Sequence, residues 1–580
     1  MRALRIYSAS HVPLAAAADR SLVGASAILR RTVPGFLRAV TKPFESPINP
    51  TRALQHAALA NFFEIRSTWL RVVLALASGI CLALSFPDYN LWILAWPSIG
   101  FLILASVGAR PLESLLYGFL HGLVFYPVCV PWIAVVIRQY GDVDPWTSAG
   151  IVGLMGIAGG VIWSTFSLFV ALASRRSLAL ACGLAPFYWV TLEFARTHLP
   201  YIGFPWNLAG YAASVSLALL QLTPLTGIYG LSFLIAAYGA VFAYAVLART
   251  PRSRRVFVAV TVALLVIALG GKYLVPTERP RFIAHLVQTN FPQSEHYPPD
   301  WLKIHAGELD QLERISVDAA KQMPGLIVWP EVPAPFSLQD PAFTQRAVRI
   351  ANESGVDFLL GVVDWKRDAH GEWLASNSAV LLDPAGRRLF TYDKIHLVPF
   401  GEYVPLRQYI KFAGRLTADV SDFTPGTVYR VGSLPMVETY VPSAGPKFGV
   451  FICYEAIFPD EVRRFAQEGA ELLINLSNDG WFGRSAAPVQ HLMMARVRAV
   501  ENRRWLLRDT NNGFTESIDP YGRTVARLAT DIRGQLDAPY DFRRGLTPYT
   551  RFGDWFAWLC VVVSAVLILF ALSRKLEEAR

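Results

Sequence analysis

Residues 447–455 read KFGVFICYE, and the organisation of the rest of the chain can be worked out from them. The apolar run has the length and composition of a buried strand ending at Cys453, and the FPDEVRRFAQEGA that follows Glu455 reads as an amphipathic helix. Cys453 therefore falls on a strand-to-helix turn. A thiol there can lean on the positive end of a helix dipole, which stabilises thiolate and lowers the pKa from its ordinary value of about 8.5. An inert core cysteine has the same local pattern, because free cysteine is among the most buried residue types.

The chain of 580 residues is 53% hydrophobic and 13% aromatic, too apolar for an ordinary soluble protein. Near-continuous apolar segments fill 69–273 and return at 553–573. They predict eight spanning helices, at 69–87, 90–107, 113–137, 147–173, 178–195, 217–247, 254–273 and 553–573. Even-numbered connections carry Arg110, then Arg175 and Arg176, then Arg249, Arg252, Arg254 and Arg255, while odd-numbered ones hold only Arg138 and Arg196. By the positive-inside rule both termini are cytoplasmic, and the large domain between the seventh and eighth spans faces outward. The net charge of +10 is read as topology and contact with anionic lipid, not as a nucleic-acid surface.

Four regions follow. Residues 1–66 form a basic tail, with Asp19, Glu45 and Glu64 as its only acids, composed like a disordered segment. Residues 67–275 are the membrane domain, 281–542 a soluble domain, and 553–573 the last span. The loop 196–211 (RTHLPYIGFPWNLAGY) is rich in Pro, Gly and aromatics, as a structured interfacial segment would be, with Glu193 and Arg196 at its mouth. A charged pair at that depth marks either a structural ion pair or a polar substrate site. In the soluble domain strand-like runs alternate with helical stretches, and two Asp-Pro-x-Gly turns, at 383–386 and 519–522, join hairpins. The pattern is that of an α/β domain with mixed sheets covered by helices. GxGxxG, Walker A and HExxH patterns are missing from the sequence, so neither a metal nor a cofactor is expected.

Cys81, Cys129, Cys182 and Cys560 all fall in predicted spans, which leaves Cys453 as the one thiol of the outward domain, without a disulfide partner. That favours a nucleophile over inert packing. A nucleophilic thiol needs a base, and donors for the oxyanion of its tetrahedral intermediate. Two other strands end in ionisable residues: Glu331 after LIVWP and Lys394 after LFTYD. Strand ends on one edge of a sheet converge in space.

Three stretches, VWPE (328–331), YDKIHLVPFGEYVP (392–405) and ICYE (452–455), resemble the nitrilase, or carbon-nitrogen hydrolase, superfamily with its Glu, Lys and Cys triad. NLSNDGWF (475–482) and RAVENRR (498–504) add matching flanks. With the eight spans, the chain from residue 69 onward resembles the membrane-embedded branch of that superfamily, which N-acylates bacterial lipoproteins in the inner membrane. The resemblance implies an αββα sandwich on a helical membrane bundle and a ping-pong reaction. Glu331 is then the proton acceptor, Cys453 the nucleophile attacking the sn-1 ester of phosphatidylethanolamine, and Lys394 the oxyanion stabiliser together with the Tyr454 backbone N–H. The acceptor is the α-amine of a diacylglyceryl-cysteine at the N-terminus of an apolipoprotein. Glu402 matches a second glutamate that orients Lys394 or its surroundings. Tyr454 and Glu455 match the positions after the nucleophile, and Tyr297 stands where the family commonly has Trp. Glu193, Arg196 and GFPWN resemble a floor beneath the site, and Tyr297, Glu193 and Arg196 are expected to bind substrate.

The stretch 396–426, long and dotted with apolar residues, is expected to act as a mobile lid that admits lipid laterally. Two rival readings are an amidase or nitrile hydrolase of the same fold acting on a small polar substrate, and a transporter or sensor whose outward domain only binds ligand. Eight spans exceed what a simple anchor needs, and the second rival leaves the triad unexplained.

Overall fold

A computed structural model describes residues 65–141, 143–199, 203–294, 297–368, 370–403, 423–435 and 445–577. Most of the expected tail, and the lid segment between 404 and 422, lie outside the described residues.

Five helices among the described residues are long and apolar enough to cross a membrane: Pro111–Cys129, Pro145–Ser174, Leu178–Thr197, Ile228–Ala248 and the segment Pro251–Leu274. Shorter apolar helices include Thr68–Leu84, Trp92–Ser106 and Trp555–Val566. Two expected spans are drawn differently. The span at 113–137 is broken into Pro111–Cys129 and Trp132–Tyr140, because Pro131 lacks the N–H that would carry the helix on. The span at 217–247 becomes two single turns, Leu217–Leu220 and Thr223–Thr226, before a long helix starts at Ile228, with Gly227 at φ +65° making the corner. Helices Pro111–Cys129 and Pro145–Ser174 come into close contact at Gly118, Gly122 and Gly160, where a Cβ would overlap the backbone of the facing helix, and at Gly159, where it would overlap the Tyr126 ring. Small residues at such crossings let van der Waals packing hold helices together where lipid supplies no hydrophobic drive.

The soluble domain begins with β1 (Phe282–Gln288) and ends with β12 (Gly534–Tyr540). The site lies on β2 (Leu326–Val328), β3 (Phe358–Arg367), β4 (Trp373–Leu382), β5 (Arg388–Asp393), β7 (Lys447–Ile452), β8 (Leu472–Ser477) and β9 (Trp505–Thr510). With β6 at Val431–Ser433, β10 at Glu516–Ile518 and β11 at Thr524–Arg527, two six-stranded sheets stack among the described residues, ordered β12-β1-β2-β3-β4-β5 and β11-β10-β9-β8-β7-β6. Side chains alternate between faces as a pleated strand requires. Leu326 and Val328 enter the core between the sheets, whereas Ile327 packs with Leu312, Phe343 and Ile350 of the outer helices Ala306–Gln322 and Pro341–Ser354. On the other side Val462, Phe465, Leu492 and Ala495, from helices Pro459–Gln467 and Ala487–Asn502, cover the second sheet. The layers are therefore helix, sheet, sheet, helix. The far face of Ala487–Asn502 packs through Met494, Val497 and Val500 into the core of the membrane bundle, so one helix serves both domains.

Both Asp-Pro-x-Gly hairpins form. Asp383 Oδ1 accepts the Ala385 and Arg387 N–H groups at 3.0 and 2.8 Å, and Asp519 Oδ1 those of Tyr521 and Arg523 at 2.9 and 2.8 Å.

Candidate active site

Parallel pairing of β2 with β3 and of β7 with β8, and the return of β5 beside β4, put several strand carboxyl ends on one edge. Lys394 directly follows β5, Cys453 directly follows β7, and Glu331 lies three residues beyond β2. All three are buried, at 5%, 1% and 5% relative exposure for Glu331, Lys394 and Cys453. Lys394 Nζ donates to Glu331 Oε1 at 3.0 Å and to Glu402 Oε1 at 2.9 Å. Burial works against the ammonium, but the two carboxylates outweigh it and hold the lysine pKa well above its usual range.

Glu402 is tied into its own loop, its Oε2 accepting the Val398 N–H at 2.8 Å. Asn377, on β4, bridges the two acids by donating to Glu331 Oε1 and Glu402 Oε1, each at 2.8 Å. The other Glu331 oxygen accepts the backbone N–H of Asn478 at 2.9 Å. Every carboxylate oxygen of Glu331 is thus held by donors, which fixes its orientation. Gly361 on β3 stands directly behind it: an added Cβ would overlap the Pro330 carbonyl and come within 2.7 Å of the Glu331 Cα. Gly361→Ala is expected to cost about 1–3 kcal/mol in stability and, by displacing Glu331, to cut turnover at least tenfold. Thermal unfolding and initial rates check the two parts separately.

Cys453 sits at φ +48°, a left-handed conformation that costs a non-glycine residue energy and aims its side chain off the strand end. The helix dipole that can lower a thiol pKa has little hold here. Only a short 3-10 turn, Cys453–Ile457, follows, and the α-helix begins at Pro459. Burial and the neighbouring Glu331 push the thiol up, more than Lys394 pulls it down. A protonated thiol at rest needs a base at the moment of attack.

Glu455 ties the Lys394 loop to the Cys453 turn. Its Oε1 accepts the Tyr392 hydroxyl at 2.7 Å and the Ile395 and His396 N–H groups at 2.7 and 3.2 Å, and its Oε2 accepts the Ile452 N–H at 2.6 Å. Burial first, then Glu461, pushes its pKa up to about 7. The folded state therefore favours the protonated acid, a stabilisation fully present below about pH 4.5 and lost as pH rises through about 7. Between pH 5 and 8 the wild type should lose on the order of 2 kcal/mol of stability, read as a fall in unfolding temperature that is missing from Glu455→Gln.

Tyr297 is half-buried against Trp301, and its hydroxyl accepts from Gln293 Nε2 at 3.4 Å; Gln293 Oε1 in turn accepts from Asn478 Nδ2 at 2.7 Å. Tyr297 therefore stands two hydrogen bonds out from Asn478, the residue that holds Glu331. Tyr454 is buried beside Phe458 and His396. Glu193 and Arg196 do not meet the triad. Glu193 Oε1 accepts from Trp189 Nε1 at 3.0 Å and from the Ala209 N–H at 2.8 Å, and Arg196 donates to the Tyr126 hydroxyl at 2.5 Å and the Trp206 carbonyl at 3.4 Å. Both are buried and brace the floor segment that contains Trp206. The positions 200–202 of that loop lie outside the described residues.

Sequence reasoning missed Asn377, Asn478 and a buried cluster of Asp479, His491 and Arg508. Arg508 Nη2 donates to Asp479 Oδ2 at 2.8 Å, and His491 Nε2 lies 2.9 Å from the Cys453 carbonyl oxygen. Burial alone would raise the Asp479 carboxyl, but Arg508 and His491 hold it far below the usual carboxylate range. The signal was polar residues inside apolar strands, in SNSAV and NLSND, where each buried side chain must have a partner.

The paired sheets and the residues at their shared edge define a nitrilase-like domain, and residues 296–543 match the carbon-nitrogen hydrolase family model. Residues 78–241 match that of the apolipoprotein N-acyltransferase N-terminal domain. An apolipoprotein N-acyltransferase of Geobacter metallireducens is 36% identical over 87% of this chain and 95% of its own length. One from Azotobacter vinelandii is 33% identical over 88% and 97%. Among solved structures, Saccharomyces cerevisiae Nit3, of the nitrilase superfamily, is 19% identical, covering 46% of this chain and 93% of its own, with a TM-score of 0.33. The chain belongs to the apolipoprotein N-acyltransferase family.

Proposed function

We propose that this protein moves an acyl chain from the sn-1 position of phosphatidylethanolamine to the α-amine of the diacylglyceryl-cysteine of apolipoproteins, through a thioester on Cys453. The observation that carries this reading is the buried Lys394 held between Glu331 and Glu402 at the strand edge where Cys453 ends β7. Glu331 takes the thiol proton as sulfur attacks the ester carbonyl. The oxyanion is met by Lys394 and the Tyr454 N–H, and Glu331 returns the proton to the departing lysophospholipid alkoxide. In the second half the acceptor amine attacks the thioester, Glu331 takes a proton from it, and an amide forms as the thiol is released. Glu402 holds Lys394 in place, Tyr297 lines the approach to Glu331, and Glu193 and Arg196 brace the floor.

The bundle is read as eight spans with both termini cytoplasmic and the catalytic domain in the periplasm. Both substrates keep their acyl chains in the bilayer, so a site resting on the bundle meets their reacting atoms near the headgroup plane. Intact-mass spectrometry after incubation with phosphatidylethanolamine tests the proposal. One acyl adduct, removed by hydroxylamine and missing from Cys453→Ala, is expected. A folded, lipid-bound wild type without adduct overturns it.

A further inference from the structure

Two consecutive residues of the helix Ala487–Asn502 face opposite partners. Gln490, fully buried, directs its whole side-chain amide at the membrane bundle. Its Oε1 accepts from Trp132 Nε1 at 3.2 Å and Trp206 Nε1 at 2.7 Å, and its Nε2 donates to the carbonyls of Pro87 at 2.6 Å and Cys129 at 3.1 Å. Asn207 Nδ2, at 3.5 Å, is a third donor to Oε1, so the amide's capacity is filled, and its five partners come from several pieces of the bundle. The next residue, His491, equally buried, has Nε2 at 2.9 Å from the Cys453 carbonyl, while the Trp206 ring stacks on its imidazole at 5.9 Å.

A carbonyl oxygen only accepts, so Nε2 carries the proton; Nδ1 faces both Asp479 Oδ1 at 3.1 Å and Arg508 Nη2 at 3.2 Å. Burial first, then Arg508, lowers the imidazole pKa against the opposing pull of Asp479. The Cys453 carbonyl and the Tyr454 N–H belong to one planar peptide unit and point in opposite directions. Holding the carbonyl therefore aims the N–H. Without a tether, a residue at φ +48° is free to relax towards a commoner conformation and swing that N–H away.

We propose that Gln490 and His491 form a positioning relay, in which contact with the membrane bundle orients the Cys453–Tyr454 peptide so that its N–H faces the developing oxyanion. The relay rests on Cys453 being the nucleophile. Neither residue touches substrate; His491 acts through the peptide plane, and Gln490 acts by fixing His491 against the floor formed by Trp132 and Trp206.

The test uses the full-length protein in detergent–lipid micelles and two rates at Cys453: single-turnover thioester formation from phosphatidylethanolamine, and alkylation by iodoacetamide. Alkylation is a displacement that needs no oxyanion donor. His491→Phe keeps the ring and removes the donor; His491→Gln returns an N–H to the same place. His491→Phe should slow acylation at least 50-fold while alkylation changes less than threefold, and His491→Gln should recover to within fivefold of wild type. Gln490→Leu should slow acylation about tenfold in kcat, leaving KM for phospholipid and the alkylation rate unchanged. The relay is overturned if acylation persists in His491→Phe, if the two rates fall together, or if His491→Gln is no better than His491→Phe. A wild type that is alkylated at Cys453 yet never acylated there would instead defeat the nucleophile reading itself.

Discussion

Glu331→Gln is expected to slow thioester formation by 10²- to 10⁴-fold, the usual worth of a general base, while leaving the protein folded. Glutamine keeps an oxygen for Lys394 Nζ and Asn377 Nδ2, which lie at 3.0 and 2.8 Å from Glu331 Oε1. What it loses is the capacity to take a proton from a thiol that burial keeps protonated. Its amide nitrogen also turns a donor towards the Asn478 N–H, which now donates to Oε2 at 2.9 Å, so a modest loss of stability accompanies the loss of rate. Single-turnover acylation and thermal unfolding measured side by side separate the two. Acylation within tenfold of wild type would assign the base to another residue.

Lys394→Met should strike both fold and chemistry. Removing the ammonium leaves Glu331 and Glu402 sharing Asn377 with no positive charge between them. Breaking a buried ion pair in this way costs about 3–5 kcal/mol, and loss of an oxyanion donor costs a further 10²- to 10³-fold in kcat. Adding Glu402→Gln to Lys394→Met relieves the repulsion, and chemical denaturation should show most of the stability returning. Acylation should not return with it. Recovery of the rate in the double variant would mean that Lys394 acts only as a counter-ion.

The candidate residues were legible where they stand at or just past a strong strand signal. Cys453 after KFGVFI, Lys394 after LFTYD and Glu331 after LIVWP are local features of the chain, as are the two Asp-Pro-x-Gly turns. The apolar segments, the soluble insertion between them and the order of strands and helices are likewise written in periodicity and composition, because burying an apolar stripe is a local demand on the sequence. Residues whose role is to hold others were not legible. Asn377 acts across a β-hairpin from Lys394, whose N–H donates to the Asn377 carbonyl at 2.8 Å, and Asn478 reaches Glu331 across 147 positions of sequence.

By itself the sequence placed most of the elements and the acid, amine and thiol at or just past three strands, but it ran together the apolar stretches 113–137 and 217–247 that the structure breaks at Pro131 and Gly227. Only the tertiary structure decided that the thiol is raised and not lowered, because desolvation depends on what surrounds it and the dipole of a short turn is a weaker effect. It alone decided that Glu193 and Arg196 brace the floor, and that Gln490 and His491 look to opposite domains. Such partners are chosen by the packing of distant segments, and one sequence carries no local record of that choice.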